Sequence, residues 1–279
     1  MASDPAVPSL PRRVTSALTV ALGGLVTRTF LHGMNRVETE GREGFLAVLD
    51  GRKDVGGRER GLLTVSNHIS VIDDPLMWAV IPQRYFMNRQ SVRWTLGSHD
   101  ICFQTALGTQ FFLASQVLPT HRLAYSPYGG PFQPTMTQAI RLLSAGPFTS
   151  PTPVHPSISA ATTTETSEPL DPFSSPNDTI SYTYSTTPTD LIPAPSAYAA
   201  NRHAWLHVFP EGRIHQHPDR ALRYFKWGVA RLILESEPCP DVVPIFVEGF
   251  EAVMPEGRGW PRWMPRGGKK LRVVFGERV

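Results

Sequence analysis

The sequence predicts an α/β fold: a central, largely parallel or mixed sheet flanked by helices, with an N-terminal membrane-interface helix and a disordered insertion. Three observations predict it. Short apolar runs suited to buried strands alternate with segments of helical periodicity, both before and after the middle of the chain. The stretch Gly61 to Ile81 reads as a short strand, a polar turn and a helix. Residues 147–200 hold ten prolines and twenty Ser or Thr in 54 positions. Such a segment cannot bury enough apolar surface to offset its ordering entropy.

Taken in order, residues 1–11 are expected to be disordered. Arg12 and Arg13 then precede an uncharged run of 14 residues that ends before Arg28. As a helix that run is about 21 Å long, short of the roughly 30 Å hydrocarbon core. The expectation is a monotopic helix within 1–35, lying in the interface with Arg12, Arg13 and Arg28 at the headgroups. A core helix of the folded body is the alternative. Residues 36–60 read as a connecting segment, and Leu62 to Val65 as a buried strand. The run Ile101 to Leu118 reads as a helix and then a short strand ending at Pro119. Pro134 to Ser144 is a helix with Met136, Ala139, Ile140 and Leu143 on one face, stopped by Gly146-Pro147. After the insertion, Trp205 to Phe209 is a strand, followed by a tight turn, Pro210-Glu211-Gly212. A helix is expected over 221–236 with Leu222, Phe225, Val229, Leu232 and Ile233 inward. Val242 to Val247 and Leu271 to Phe275 are buried strands, joined through a Trp-, Pro- and Arg-rich loop, 254–268. Residues 36–146 and 201–279 thus read as two parts of one domain split by 147–200. A linker between independent domains is the other reading of that segment.

Charge is unevenly spread. The insertion carries five of the 24 acids and no Lys or Arg, so the rest of the chain has 27 bases against 19 acids. A moderately basic body suits an anionic partner: a phospholipid surface, a phosphate ester or a nucleic acid. Cys102 and Cys239 lie far apart without metal-ligand spacing, which suggests buried free thiols rather than a disulfide.

The chemistry concentrates after the first strand. His68 and Asp73 are five residues apart, about 140° around a regular helix, so they meet only if the backbone between them turns. Asp74 before Pro75 reads as the N-cap of the following helix. Asp73 is then left to hold the Nδ1 proton of His68, whose other nitrogen becomes a general base. A capped helix beside an ordinary surface histidine has the same spacing. No G-x-S-x-G occurs, which disfavours a serine hydrolase. His215 and His217 lack a third ligand, so no metal and no cofactor is expected.

These residues resemble a known family. Asn67-His68-x-x-x-x-Asp73-Asp74-Pro75, with Trp78 after it, resembles the first motif of the glycerolipid acyltransferases, and Asp73-Asp74-Pro75 looks like the tafazzin branch. Asp100-Ile101-Cys102-Phe103 and Arg223-Tyr224-Phe225-Lys226-Trp227-Gly228 resemble the same branch. Pro119 to Arg122 sits where the second motif falls, though poorly kept. Phe209-Pro210-Glu211-Gly212 matches the third, and Val243-Pro244-Ile245 sits at the fourth. The resemblance covers about 61–146 and 201–279. It implies His68 and Asp73 as catalytic residues and Arg122 at the substrate phosphate. Beside it, the turn after the later strand suggests Glu211 at substrate hydroxyls, Gly212 letting the turn pass close to the ligand and Arg213 joining Arg122 at the phosphate; a plain turn acid and an exposed arginine are the alternatives. The resemblance implies phospholipid and lysophospholipid substrates, a membrane surface as partner, no nucleic acid, and mitochondrial membranes facing the intermembrane space. The chain ends at Val279 just after a strand, where the family continues, so a truncated product is expected. Three functions follow as expectations: a cardiolipin-remodelling transacylase between phospholipids and lysophospholipids, an acyl-CoA-dependent lysophospholipid acyltransferase, or a non-catalytic peripheral membrane protein of the same fold.

Overall fold

A computed structural model of the chain describes residues 9–127, 129–144, 183–187, 190–193 and 203–279. Among them, seven strands form one mixed sheet. They are β1 (Arg36–Glu40), β2 (Leu62–Ser66), β3 (Trp94–Ser98), β4 (Val117–Thr120), β7 (Trp205–Val208), β8 (Asp241–Glu248) and β9 (Lys270–Phe275), in the order β1-β9-β8-β2-β7-β3-β4. Two further strands, β5 (Thr183–Thr187) and β6 (Asp190–Pro193), pair antiparallel as a sheet of their own. The helices are α1 (Leu10–Met34), α2 (Arg42–Gly51), α3 (Asp73–Met77), α4 (His99–Cys102), α5 (Ala106–Ala114), α6 (Pro134–Leu143), α7 (Trp227–Leu234) and α8 (Phe250–Val253).

β8, β2, β7, β3 and β4 all run parallel, while β9 is antiparallel to β8 and carries β1 parallel at its far side. β2 and β7 are apolar almost throughout because helices cover both faces of the sheet there. Alternate residues serve opposite layers. Leu62 and Trp205 join Phe45, Trp78, Phe250 and Phe275 on one face. Leu63 and Leu206 join Leu118, Leu142, Leu143 and Leu232 on the other. β2, from the first part of the chain, lies between β7 and β8 from the second, so residues on both sides of the insertion build one sheet.

Several expectations are corrected. The segment 36–60 is not only a connection: it holds β1 and α2. β1 is an edge strand of sequence Arg-Val-Glu-Thr-Glu whose exposed side is charged. The expected helix over 221–236 starts only at Trp227, and Leu222 and Phe225 are exposed rather than inward. β3, unforeseen, carries Gly97 where a Cβ would stand 2.5 Å from a Val117 methyl, so close packing against β4 needs glycine there. Cys102 and Cys239 are free thiols, the first half-buried and the second exposed, so neither is a buried core cysteine. The expectation of disorder for residues 1–11 and 147–200 falls largely outside the described residues.

The first helix is longer than its uncharged run. Its 25 residues span about 37 Å, enough by length and composition to cross a membrane, so the length argument against spanning does not hold. One side is docked on the body. Ser16 Oγ donates to the Ala114 carbonyl at 2.5 Å, Gln83 Nε2 to the Ala21 carbonyl at 3.1 Å, and Leu31 is fully buried. Arg28, expected at the headgroups, is turned back onto the body. Its guanidinium donates to the Ala79 and Ile81 carbonyls at 2.8 and 3.1 Å, at the end of a 3-10 turn. The opposite side exposes Leu10, Val14, Leu18, Leu22, Leu25 and Val26.

Candidate active site at the carboxyl edge of the sheet

The five parallel strands end on the same edge, where ligands of open α/β sheets bind. His68 follows β2, Asp100 follows β3, Arg122 follows β4, and the turn Phe209 to Gly212 follows β7. The chain leaves β2 through Asn67, whose amide imitates one more peptide unit. Its Nδ2 donates to the Val247 carbonyl at 2.9 Å and its Oδ1 accepts from the Val247 N–H at 2.8 Å. This pins the start of the turn to β8.

The turn then brings His68 and Asp73 together. Nδ1 of His68 lies 2.9 Å from Asp73 Oδ2. The same oxygen accepts the backbone N–H of Ile69 at 2.6 Å and of Ser70 at 2.7 Å. Asp73 is fully buried, and burial pushes its carboxyl above the usual range; the bond to His68 and the two N–H groups pull part of that back. The His68 ring stacks on Phe209 with centroids 4.0 Å apart, while its side chain remains 21% exposed. An imidazole fixed on one nitrogen by a carboxylate, packed on one face and open elsewhere, can take and return a proton at Nε2.

Asp74 does not cap a helix. α3 begins at Asp73 after Ile72, no side chain caps it, and Pro75 is its third residue. Asp74 instead forms a bidentate ion pair with Arg93 and accepts from the Trp78 indole at 3.1 Å. Arg93 also lies over the Trp78 ring. Although burial opposes it, the charge of Arg93 helps hold the Asp74 carboxyl below its usual range. Arg93 carries no local signal, because its partner is 19 residues away. His207 was also unforeseen. It is fully buried among Thr64, Ser66, Trp78 and Phe209. Burial lowers its pKa to about 3, so it is neutral.

Glu211, expected at substrate hydroxyls, has both carboxylate oxygens engaged by the backbone. It is 1% exposed, and its two oxygens accept the backbone N–H groups of His68 at 2.9 Å and Arg223 at 2.8 Å. It ties the two functional turns together; the His215 N–H adds a bond to the His68 carbonyl at 2.8 Å. Gly212 adopts φ +68, a left-handed conformation that favours glycine, and Arg213 is exposed beside it. Arg122 is not brought to His68. β4 lies three strands from β2, about 14 Å across the sheet. The Arg122 guanidinium pairs bidentately with Asp100 and lies 4.3 Å from the Tyr125 ring centroid. On the β8 side of His68 a cavity of about 310 Å³ is lined by Asn67, Glu211, His215, Gln216, Arg220 and Glu251. Among the described residues no cluster of three or more His, Cys, Asp or Glu could hold a metal.

Fold and site define an α/β protein with a histidine–carboxylate pair at the carboxyl edge of a mixed sheet. No protein-family model matches the chain. Its relatives include tafazzins. It is 34% identical to tafazzin of Saccharomyces cerevisiae over 263 residues, covering 90% of this chain and 59% of that protein. The protein named taffazin of Dictyostelium discoideum is 28% identical over 254 residues, 90% of this chain and 65% of that one. N-acylphosphatidylethanolamine synthase of Arabidopsis thaliana is 29% identical over 220 residues, 78% and 55% of the two chains. The resemblance read from the motifs therefore extends over most of the chain, which itself spans about three fifths of the length of these relatives.

Proposed function

We propose that this chain carries the acyl-transfer domain of a membrane-associated phospholipid–lysophospholipid transacylase of the tafazzin type. The observation that carries the proposal is the His68 imidazole held by buried Asp73, on a chain similar to tafazzins over 90% of its length. The domain would comprise 36–146 and 201–279, with 147–200 inserted in it. Asp73 keeps the proton on Nδ1, so Nε2 accepts the proton of a lysophospholipid hydroxyl. The freed oxygen attacks the ester carbonyl of a donor phospholipid and a new C–O bond forms. Collapse of the tetrahedral intermediate breaks the bond to the donor's glycerol oxygen, which receives the proton from His68. One phospholipid and one lysophospholipid leave, with no net consumption of water or cofactor. Gly212 and Arg213, on the turn after the strand adjacent to β2, are the nearer candidates for substrate contact. Arg122 would serve a phosphate only after exchanging Asp100 for it.

The exposed apolar side of α1 would rest in the bilayer interface, monotopically, and supply the lipid. The tafazzin resemblance implies cardiolipin as the remodelled lipid and mitochondrial membranes facing the intermembrane space as the place of action. The test is acyl transfer by the wild-type chain against His68→Ala and Asp73→Asn, each shown to be folded. Transfer that survives in both variants would remove the pair from the mechanism.

A further inference from the structure

The loop between α8 and β9 takes no part in the chemistry above. It places Trp260, Trp263 and Met264 outward, the first at 90% and the second at 71% exposure. Residues 254–270 carry Arg258, Arg262, Arg266, Lys269 and Lys270 against the single acid Glu256. Large exposed aromatic side chains among bases are unfavourable in water but suit the headgroup layer of an anionic membrane.

The loop is braced. Arg258 Nε donates to the Arg262 carbonyl at 2.5 Å and its Nη1 to the Pro255 carbonyl at 2.9 Å. The Arg266 N–H donates to the Val253 carbonyl at 3.0 Å. These bonds tie the loop back on itself while the tryptophans project. Two attachments give the loop a direction. At one end the Gly268 N–H bonds the Met34 carbonyl at 2.6 Å and the Lys269 N–H bonds Asn35 Oδ1 at 3.1 Å, joining it to the end of α1. At the other, Gln216 Nε2 donates to the carbonyls of Met254 and Ile69 at 3.1 and 2.7 Å, while its Oε1 accepts the Glu256 N–H at 2.8 Å. Ile69 is the residue after His68, and Gln216 lines the cavity beside it.

We propose that loop 254–268 is a second membrane anchor: Trp260, Trp263 and Met264 insert at the interface of an anionic phospholipid bilayer, and Arg262 and Arg266 bind its phosphates. The inference rests on the reading that α1 lies on the same membrane. With α1 it gives two points of attachment, and it sets the mouth beside His68 against the headgroups, where lipids enter. The shared edge at Met34, the excess of bases and the tryptophans favour a bilayer over a protein partner.

The experiment uses the full chain with vesicles of phosphatidylcholine alone or mixed equally with phosphatidylglycerol, some carrying brominated acyl chains. The wild type should bind the mixed vesicles with quenching of tryptophan fluorescence. Trp260→Phe with Trp263→Phe should remove much of that quenching. Trp260→Ala with Trp263→Ala should weaken partition about tenfold or more. Arg262→Gln and Arg266→Gln should each cost about fivefold, and only with phosphatidylglycerol present. All these side chains are exposed, so the variants should fold. If the wild type binds and the variants bind equally, the loop inference falls, α1 remains the anchor, and the surface is left to a protein partner. If the wild type binds neither vesicle, the loop inference and the membrane reading of α1 fall together.

Discussion

Replacing Asp74 by Asn tests the division of labour between the two adjacent acids. Were Asp74 a helix cap, Asn would serve nearly as well and the change would be almost silent. The ion pair makes a different forecast. Arg93 has a side chain only 10% exposed, and it loses the carboxylate that takes two of its N–H groups. Removing one member of such a pair costs about 3–5 kcal/mol because the other charge stays buried. Asp74 is itself 23% exposed, and water relieves part of that, so about 3 kcal/mol is expected. In urea, with a slope of roughly 2–3 kcal/mol/M for a domain of this size, the midpoint should fall by about 1–1.5 M. Converting Arg93 to Met as well should recover part of the loss, since no unpaired charge then remains. A folded-state pKa below the usual carboxylate value adds a pH signature: this stability is present above about pH 4 and disappears as pH falls through the lowered value. The mutant should lack that acid limb. A midpoint within about 0.2 M of wild type would refute the ion-pair reasoning.

His207, neutral down to about pH 3, favours the folded state increasingly above that value until its unfolded pKa near 6.5 is reached. Stability should therefore fall by about 1.4 kcal/mol per pH unit as pH drops from 6.5 toward 3, and titrated unfolding of His207→Gln should show a flatter slope there. Asp73 acts with the opposite sign: its raised carboxyl binds a proton more readily in the fold, so its protonation opposes part of that loss. Asn67→Ala strands the buried N–H and carbonyl of Val247 and should cost about 3 kcal/mol in chemical denaturation. Asp73→Asn should lower the acyl-transfer rate by about 10⁴, because an amide can settle the wrong imidazole tautomer, with KM nearly unchanged.

The central strands were legible in the sequence because covered strands are written as apolar runs, and Leu62 to Val65 and Trp205 to Val208 contain little else. β1 was hidden by its edge position, where Arg36, Glu38 and Glu40 present charge to water. β3 was hidden by its composition, Trp-Thr-Leu-Gly-Ser, which suits a strand only because Gly97 meets Val117. The helix forecast over 221–236 failed because helical spacing alone cannot tell an inward face from exposed residues. Leu222 and Phe225 have the spacing and lie outside the fold. The His68–Asp73 contact was readable from spacing plus a turn. The true partner of Asp74, the buried seat of Glu211 and the remoteness of Arg122 depend on groups 19 to 143 residues apart, or on strand order, and no local pattern encodes them.

In the proposed reaction His68, held by Asp73, takes the proton of a lysophospholipid hydroxyl, which then receives an acyl chain directly from a donor phospholipid. The most direct measurement follows labelled acyl chains from phosphatidylcholine to a lysophospholipid in defined vesicles containing the purified chain and no coenzyme A. Transfer by the wild type, its loss in His68→Ala and no dependence on added acyl-CoA are the expected results. Transfer seen only when acyl-CoA is supplied, or undiminished without His68, would contradict the proposed reaction.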